Sequence, residues 1–284
     1  MPTETLRIGN VEIRNVRDLP WLRGAPSYMW PEVTPEQWEP HKQWLNAKGN
    51  IELHLGSFLI RSGGKTIIVD TGIGRRDREG FATNRANLIE NLAEEGVRPE
   101  DVDIVLISHV HVDHVGWNTI DRDGEKVLTF PNAEYWIRRK GFEFFTSHPD
   151  WKDRDYIVDC VLPLRDHPQL RLPDGEQSVT EDITYYPAPG HTPDHSGLII
   201  RSGGEAAFLM GDGTHHPVQV TETDWAFTLD IDKKQAIATR RAFVERAAKE
   251  NVILAAAHYP HPGWGRVFAE GGRHYWRPLG DLTP

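Results

Sequence analysis

The chain has 284 residues, 38% of them hydrophobic and 26% charged, with a formal net charge of −10. Those totals describe a globular chain long enough for a sizeable core, and the acidic balance without a basic stripe disfavours a nucleic-acid partner. The single cysteine, Cys160, excludes an intrachain disulfide framework and a cysteine-built zinc site, so any metal must be held by histidine and carboxylate.

The first residues, MPTETLRIGN, lack a basic start followed by an apolar stretch. No apolar run approaches the roughly 20 residues that span a bilayer. A cytoplasmic protein with no membrane partner is the expectation. Ten tryptophans are present, and Trp21, Trp30, Trp38 and Trp44 fall in one segment, 15–48. They either fill a core or edge, or form an aromatic lid or partner contact over a site.

Two later segments resemble each other. FLIRSGGKTIIVDTGIG (58–74) and LIIRSGGEAAFLMGDGT (198–214) share Ile-Arg-Ser-Gly-Gly at the same place. Each reads as strand, glycine turn, strand, then a loop with aspartate and glycines. After the first copy, 84–96 has helical apolar spacing at Leu88, Ile89 and Leu92, and 102–108 reads as a buried strand. After the second, 232–250 reads as an amphipathic helix and 252–258 as a buried strand. Two such units predict an α/β chain, a sandwich of two mixed sheets packed face to face with helices outside. No low-complexity linker divides them, so 1–284 is read as a single domain. Segment 138–168 reads as helical and as a cover for the site, and the C-terminal GWGRVFAEGGRHYWRP as strand and tail.

The chemistry concentrates at LISHVHVDHVGWNT (106–119). Here His109, His111, Asp113 and His114 follow directly on an apolar strand. His-x-His in extended backbone puts two imidazoles on one side, and the next two residues can turn toward a second ion. Further candidates stand at strand ends: His191 in YPAPGHTPDHSG, Asp212 in FLMGDGTHHP and His258 in ILAAAHYPHPGWG. With only nitrogen and oxygen donors, zinc is the default, and manganese, iron and cobalt also fit.

In order and spacing these seven residues resemble the metallo-beta-lactamase superfamily pattern, and the likeness runs from the hairpin at 51–72 to the last strand. The resemblance implies that fold and a centre of two divalent ions. His109, His111 and His191 would hold the first, Asp113, His114 and His258 the second, and Asp212 would bridge them. It further implies hydrolysis by a metal-bridging hydroxide without a covalent enzyme intermediate. Asp70 in VDTG resembles a supporting aspartate of the family, although capping a turn would serve it equally well.

Among the branches, His114 departs from dizinc beta-lactamases, the acidic surface from nucleases, and the C-terminal region from glyoxalase II. A flavodiiron protein would need a flavin domain for which the chain has no room. The stretches GDGTHHPVQV and AAAHYPHPGWGRVFAEG look closest to the methyl parathion hydrolase and quorum-quenching lactonase group. The implied activity is hydrolysis of hydrophobic carboxylic esters or lactones, N-acyl homoserine lactones among them, with a homodimer expected for the branch. The alternatives are an organophosphate triester hydrolase and a non-catalytic metal or ligand sensor. Asp113 and His215 are the candidate catalytic residues, with His215 standing where lactonases carry tyrosine and able to hydrogen-bond the substrate. Trp117 is read as a pocket wall, with core packing as its competitor. His148, His167, His216 and His261 are read as surface or loop residues.

Overall fold

The computed structural model describes residues 5–75 and 85–280. Among them, two seven-stranded sheets and one small hairpin are formed. Sheet one contains β1 (Thr5–Ile8), β2 (Val11–Gly24), β3 (Ile51–Ser62), β4 (Lys65–Val69) and β5 (Ile104–Ile107). The small hairpin, β6 (Thr119–Arg122) and β7 (Glu125–Leu128), follows. Then β8 (Glu134–Ile137) and β9 (Leu170–Arg171) complete sheet one beside β5.

Sheet two runs in chain order through β10 (Gln177–Ser178), β11 (Ile183–Pro187), β12 (Ser196–Ser202), β13 (Glu205–Leu209), β14 (Ile253–Ala255), β15 (Trp264–Glu270) and β16 (Arg273–Pro278). Both similar segments form the antiparallel hairpins expected, β3–β4 and β12–β13. Each is extended by a parallel strand, β5 in one sheet and β14 in the other. Parallel neighbours put their C-terminal ends at the same edge, so the loops after β4, β5, β13 and β14 meet at one end of the sandwich. The C-terminal region is a full hairpin, β15–β16, rather than the strand and tail its sequence suggested.

The alternation of the strands sorts side chains into layers. Ile13, Phe58, Ile60, Ile67 and Leu106 of sheet one face Tyr185, Leu198, Ile200, Leu209 and Ile253 of sheet two in the central core. The opposite face of sheet one packs on α3 (Leu88–Glu94), α5 (Arg139–Ser147) and α6 (Asp155–Cys160). After the short α7 (Val218–Thr221), α8 (Lys233–Glu250) packs on the opposite face of sheet two through Phe243, Val244 and Ala247. Residue 84, where the helical reading of 84–96 begins, lies outside the described residues. α8 starts where the Asp232 carboxylate accepts the Gln235 N–H, and ends at Asn251 in the left-handed region, φ 51°.

The N-terminal aromatic segment continues β2 into the short helices α1 (Pro26–Met29) and α2 (Pro35–Trp38). Trp30 and Trp38 are buried with Trp225 and Phe227. The side chain of Trp21 lies outside the described residues.

Candidate metal centre

β5 delivers Ser108 and His109 to the converging edge, and α4 (Val112–Val115) follows at once with Asp113 and His114. Asp70, the first residue after β4, adopts a left-handed backbone at φ 62°. Its Oδ1 accepts the Ser108 N–H at 2.7 Å, and its Oδ2 accepts the Ser108 hydroxyl at 2.7 Å. The same Oδ2 lies 2.9 Å from His114 Nδ1, which fixes the imidazole so that Nε2 faces the cluster.

Three ring nitrogens converge. His109 Nε2 lies 2.9 Å from His111 Nδ1, which lies 3.0 Å from His191 Nε2. A second trio, Asp113, His114 and His258, also brings its ligand atoms together. Asp212 stands between them. Its Oδ2 is 3.7 Å from His109 Nε2 and 3.5 Å from His191 Nε2, while its Oδ1 is 3.4 Å from His114 Nε2 and 3.2 Å from His258 Nε2. One carboxylate thus reaches both groups, Oδ2 toward His109 and His191 and Oδ1 toward His114, while His258 Nε2 lies near both oxygens, 3.2 Å from Oδ1 and 3.3 Å from Oδ2. All seven residues named from the sequence are brought to this place.

Each approach is fixed from behind. His191 Nδ1 lies 2.9 Å from Asp230 Oδ1, and His258 Nδ1 lies 2.6 Å from the His54 carbonyl. His195 donates from Nδ1 to the Ala188 carbonyl at 3.0 Å and accepts the Asp212 N–H on Nε2 at 2.9 Å. Asp230 is itself held by Arg240, 3.2 Å away, and accepts the Phe227 N–H at 2.9 Å. Arg240 is fully buried and also donates to the carbonyls of Gly213, Thr223 and Trp225. The sequence reading assigned no role to His195, Asp230 or Arg240. His195 was visible in PGHTPDHSG, whereas Asp230 and Arg240 carried no local signal.

Burial, reinforced by neighbouring imidazoles, pushes His109 and His111 well below the ordinary histidine range. Burial opposes charge on His114 and His258 too, but the carboxylates outweigh it. Asp212, Asp70 and Asp113 hold His114 well above its usual value, and Asp212 with Asp113 lifts His258 to about 9. His114 Nε2 and Asp212 Oδ1 are buried without a hydrogen-bond partner among the described residues. Buried donor atoms left unpaired and aimed at one point suit a bound cation, and the nitrogen-and-oxygen donor set suits zinc or a neighbouring first-row ion.

His215 reaches the same cluster, its Nε2 3.3 Å from Asp212 Oδ2 and its ring stacked on Phe227 at 3.6 Å. Trp117 is not brought there. The turn after α4 sends its indole into the core, where Nε1 donates to Asp18 at 2.9 Å and Arg75 lies over the ring. The aromatic rings packed beside the cluster are instead Phe145 and Trp151, 5.4 and 5.6 Å from His111. His216 lies in a loop, one of the two places expected, but is buried between Trp30 and Trp44 rather than on the surface.

A buried histidine–carboxylate cluster at the strand ends of a two-sheet sandwich is the layout of a metal-dependent hydrolase. A profile of the metallo-beta-lactamase superfamily matches residues 57–258, and the chain belongs to that superfamily of metal-dependent hydrolases. Its relatives include an N-acyl homoserine lactonase of Bacillus sp, 23% identical over 73% of this chain and 82% of that protein. An N-acyl homoserine lactonase AttM of Rhizobium radiobacter is 30% identical over 52% of this chain and 51% of that protein. Among solved structures, the dizinc quorum-quenching lactonase AidC superposes with a TM-score of 0.81 at 23% identity, covering 99% of this chain and 98% of its own. The hydrolase AbOPH also gives a TM-score of 0.81, at 25% identity and the same coverage.

Proposed function

We propose that the protein hydrolyses hydrophobic carboxylic esters or lactones, N-acyl homoserine lactones among them, at a centre of two divalent ions. The observation that carries this reading is Asp212, which stands between the two ligand groups with Oδ2 toward His109 and His191, Oδ1 toward His114, and both oxygens near His258. His109, His111 and His191 would hold one ion, Asp113, His114 and His258 the other, with Asp212 shared and zinc the default. Ions held so would acidify water to a nucleophile near neutral pH and polarise the carbonyl under attack.

The chain's own residues do the rest. Asp70, Asp230 and the His54 carbonyl keep His114, His191 and His258 from turning. Trp151 on one side and Phe227 on the other would offer rings to an apolar substrate. The His215 ring, stacked on Phe227 with Nε2 3.3 Å from Asp212 Oδ2, lies close enough to the cluster to offer a hydrogen bond to a substrate oxygen. The names of the lactonase relatives support the choice of lactones.

The test is a side-by-side assay of long-chain acyl lactones, an aryl acetate and an aryl phosphotriester on protein loaded with zinc, manganese or cobalt. Turnover of lactone or ester is expected. Turnover of the phosphotriester alone, or two bound ions with no turnover of any of the three, would overturn the reading.

A further inference from the structure

Next to the histidine–carboxylate cluster, the inner face of sheet one carries a cation with no acid opposite it. Asn15 pairs with Phe58 and Arg17 with Gly56 across β2 and β3. Alternation therefore puts Asn15 and Arg17 on the face that Ile13 and Phe58 turn toward sheet two. His54, two residues before Gly56 on β3, shares that face. Segment 258–263 lies against it. The His54 N–H donates to the His258 carbonyl at 3.2 Å, and Asn15 Nδ2 donates to the Pro262 carbonyl at 3.1 Å.

The other arginines of these two strands are matched. Arg14 and Arg61 pair with Glu12, and Arg23 pairs with Glu52. Glu52, the acid that acts on His54, is thereby taken, and Asn46 binds it as well. The Arg17 guanidinium has no hydrogen-bond or ion-pair partner among the described residues, although the residue is partly buried. The His54 ring, on a residue only 6% exposed, makes no hydrogen bond among the described residues. His261 Nδ1 is buried and likewise unpartnered among them. Beside Arg17, Gly56 leaves the face bare, since a Cβ there would meet the Val16 carbonyl at 2.8 Å and Asn15 Oδ1 at 3.2 Å.

The three groups feel one another. Arg17 and His261 lie close enough to the His54 ring to oppose a charge on it, and Arg17 does the same to His261. Unpaired donors around a partly dehydrated cation are costly unless an acceptor completes them. A carboxylate is the acceptor that matches a guanidinium in two parallel hydrogen bonds. His54 also holds the proposed ligand His258 through its carbonyl, so the group adjoins the reaction site.

We propose that Arg17, His54 and His261 form an oxyanion subsite that receives a carboxylate carried by the substrate. The inference rests on the hydrolase reading above and adds within it a preference for esters or lactones whose apolar body ends in a charge.

The test uses the zinc-loaded full chain and paired aryl esters of equal length. Neutral alkanoates are set against half-esters of succinate, glutarate and adipate. The best half-ester is expected to exceed its neutral partner in kcat/KM by about 10-fold, mainly through KM. Arg17→Met should shrink that ratio about 10-fold, and Arg17→Lys should restore part of it. Half-esters no better than neutral esters, or a ratio unmoved by Arg17→Met in a variant with wild-type melting behaviour, overturns the subsite. Free phosphate that accelerates neutral-ester turnover only when Arg17 is present would assign the group to a free effector and overturn the substrate reading. If no ester or lactone turns over, the hydrolase reading fails separately. Calorimetric titration with glutarate then decides the subsite, requiring weaker binding in Arg17→Met, and equal binding overturns it.

Discussion

Replacing Asp230 by alanine should damage two properties that can be measured apart. Its side chain is fully buried, 2.9 Å from His191 Nδ1 and 3.2 Å from Arg240, and it accepts the Phe227 N–H. Removing it strands a buried guanidinium, a loss on the order of 3–5 kcal/mol. At roughly 2–4 °C per kcal/mol for a chain of this size, melting should fall by on the order of 10 °C. His191 also loses the partner that fixes its ring, for which metal affinity should drop roughly 10–100-fold. Asp230→Ala combined with Arg240→Met separates the two effects, because the double variant no longer strands a charge. It should recover most of the melting temperature but not the affinity, read by calorimetry and by competition with a chromogenic chelator. Wild-type affinity in the double variant would refute the argument that Asp230 acts through His191.

Three further outcomes are expected. Asp212→Ala should lose activity and fall below one bound ion per chain by elemental analysis, since both ligand groups face that carboxylate. Trp151→Ala should lower kcat/KM for apolar substrates by about 10-fold with metal content unchanged, because its ring lies beside His111 without supplying a ligand atom. Burial lowers the His216 pKa to about 3, with His54 and His41 adding to the shift. The folded state therefore disfavours its charge, so stability present above the unfolded value near 6.5 is lost as pH falls toward 3. His216→Leu should flatten urea-unfolding stability against pH in that window by about 1.4 kcal/mol per pH unit. An unchanged slope would show that His216 does not titrate there.

The parts of the fold and site legible in the sequence are those written locally. The hairpin repeat needs only strand, glycine turn and strand, and its copies are β3–β4 and β12–β13. The His-x-His-x-Asp-His spacing is likewise local, since β5 and α4 are contiguous. Groups acting across the fold gave no such signal. Arg240 has the look of a surface charge on an amphipathic helix until its carbonyl and Asp230 partners are seen. Trp117 misled through chain proximity, because one turn after α4 its indole belongs to Asp18. His216 stands in a loop as read, but its burial was not legible, since only tertiary packing brings Trp30 and Trp44 around it.

The strand order divides the proposed ligands between the layers. His109, His111, Asp113 and His114 follow β5 of sheet one, while His191, Asp212 and His258 follow strands of sheet two. Neither half of the sandwich owns a whole coordination sphere. Ions seated there would act as rivets through the seam, so that metal occupancy and the docking of the two layers become one equilibrium. Catalytic readiness would then report directly on whether the halves are closed.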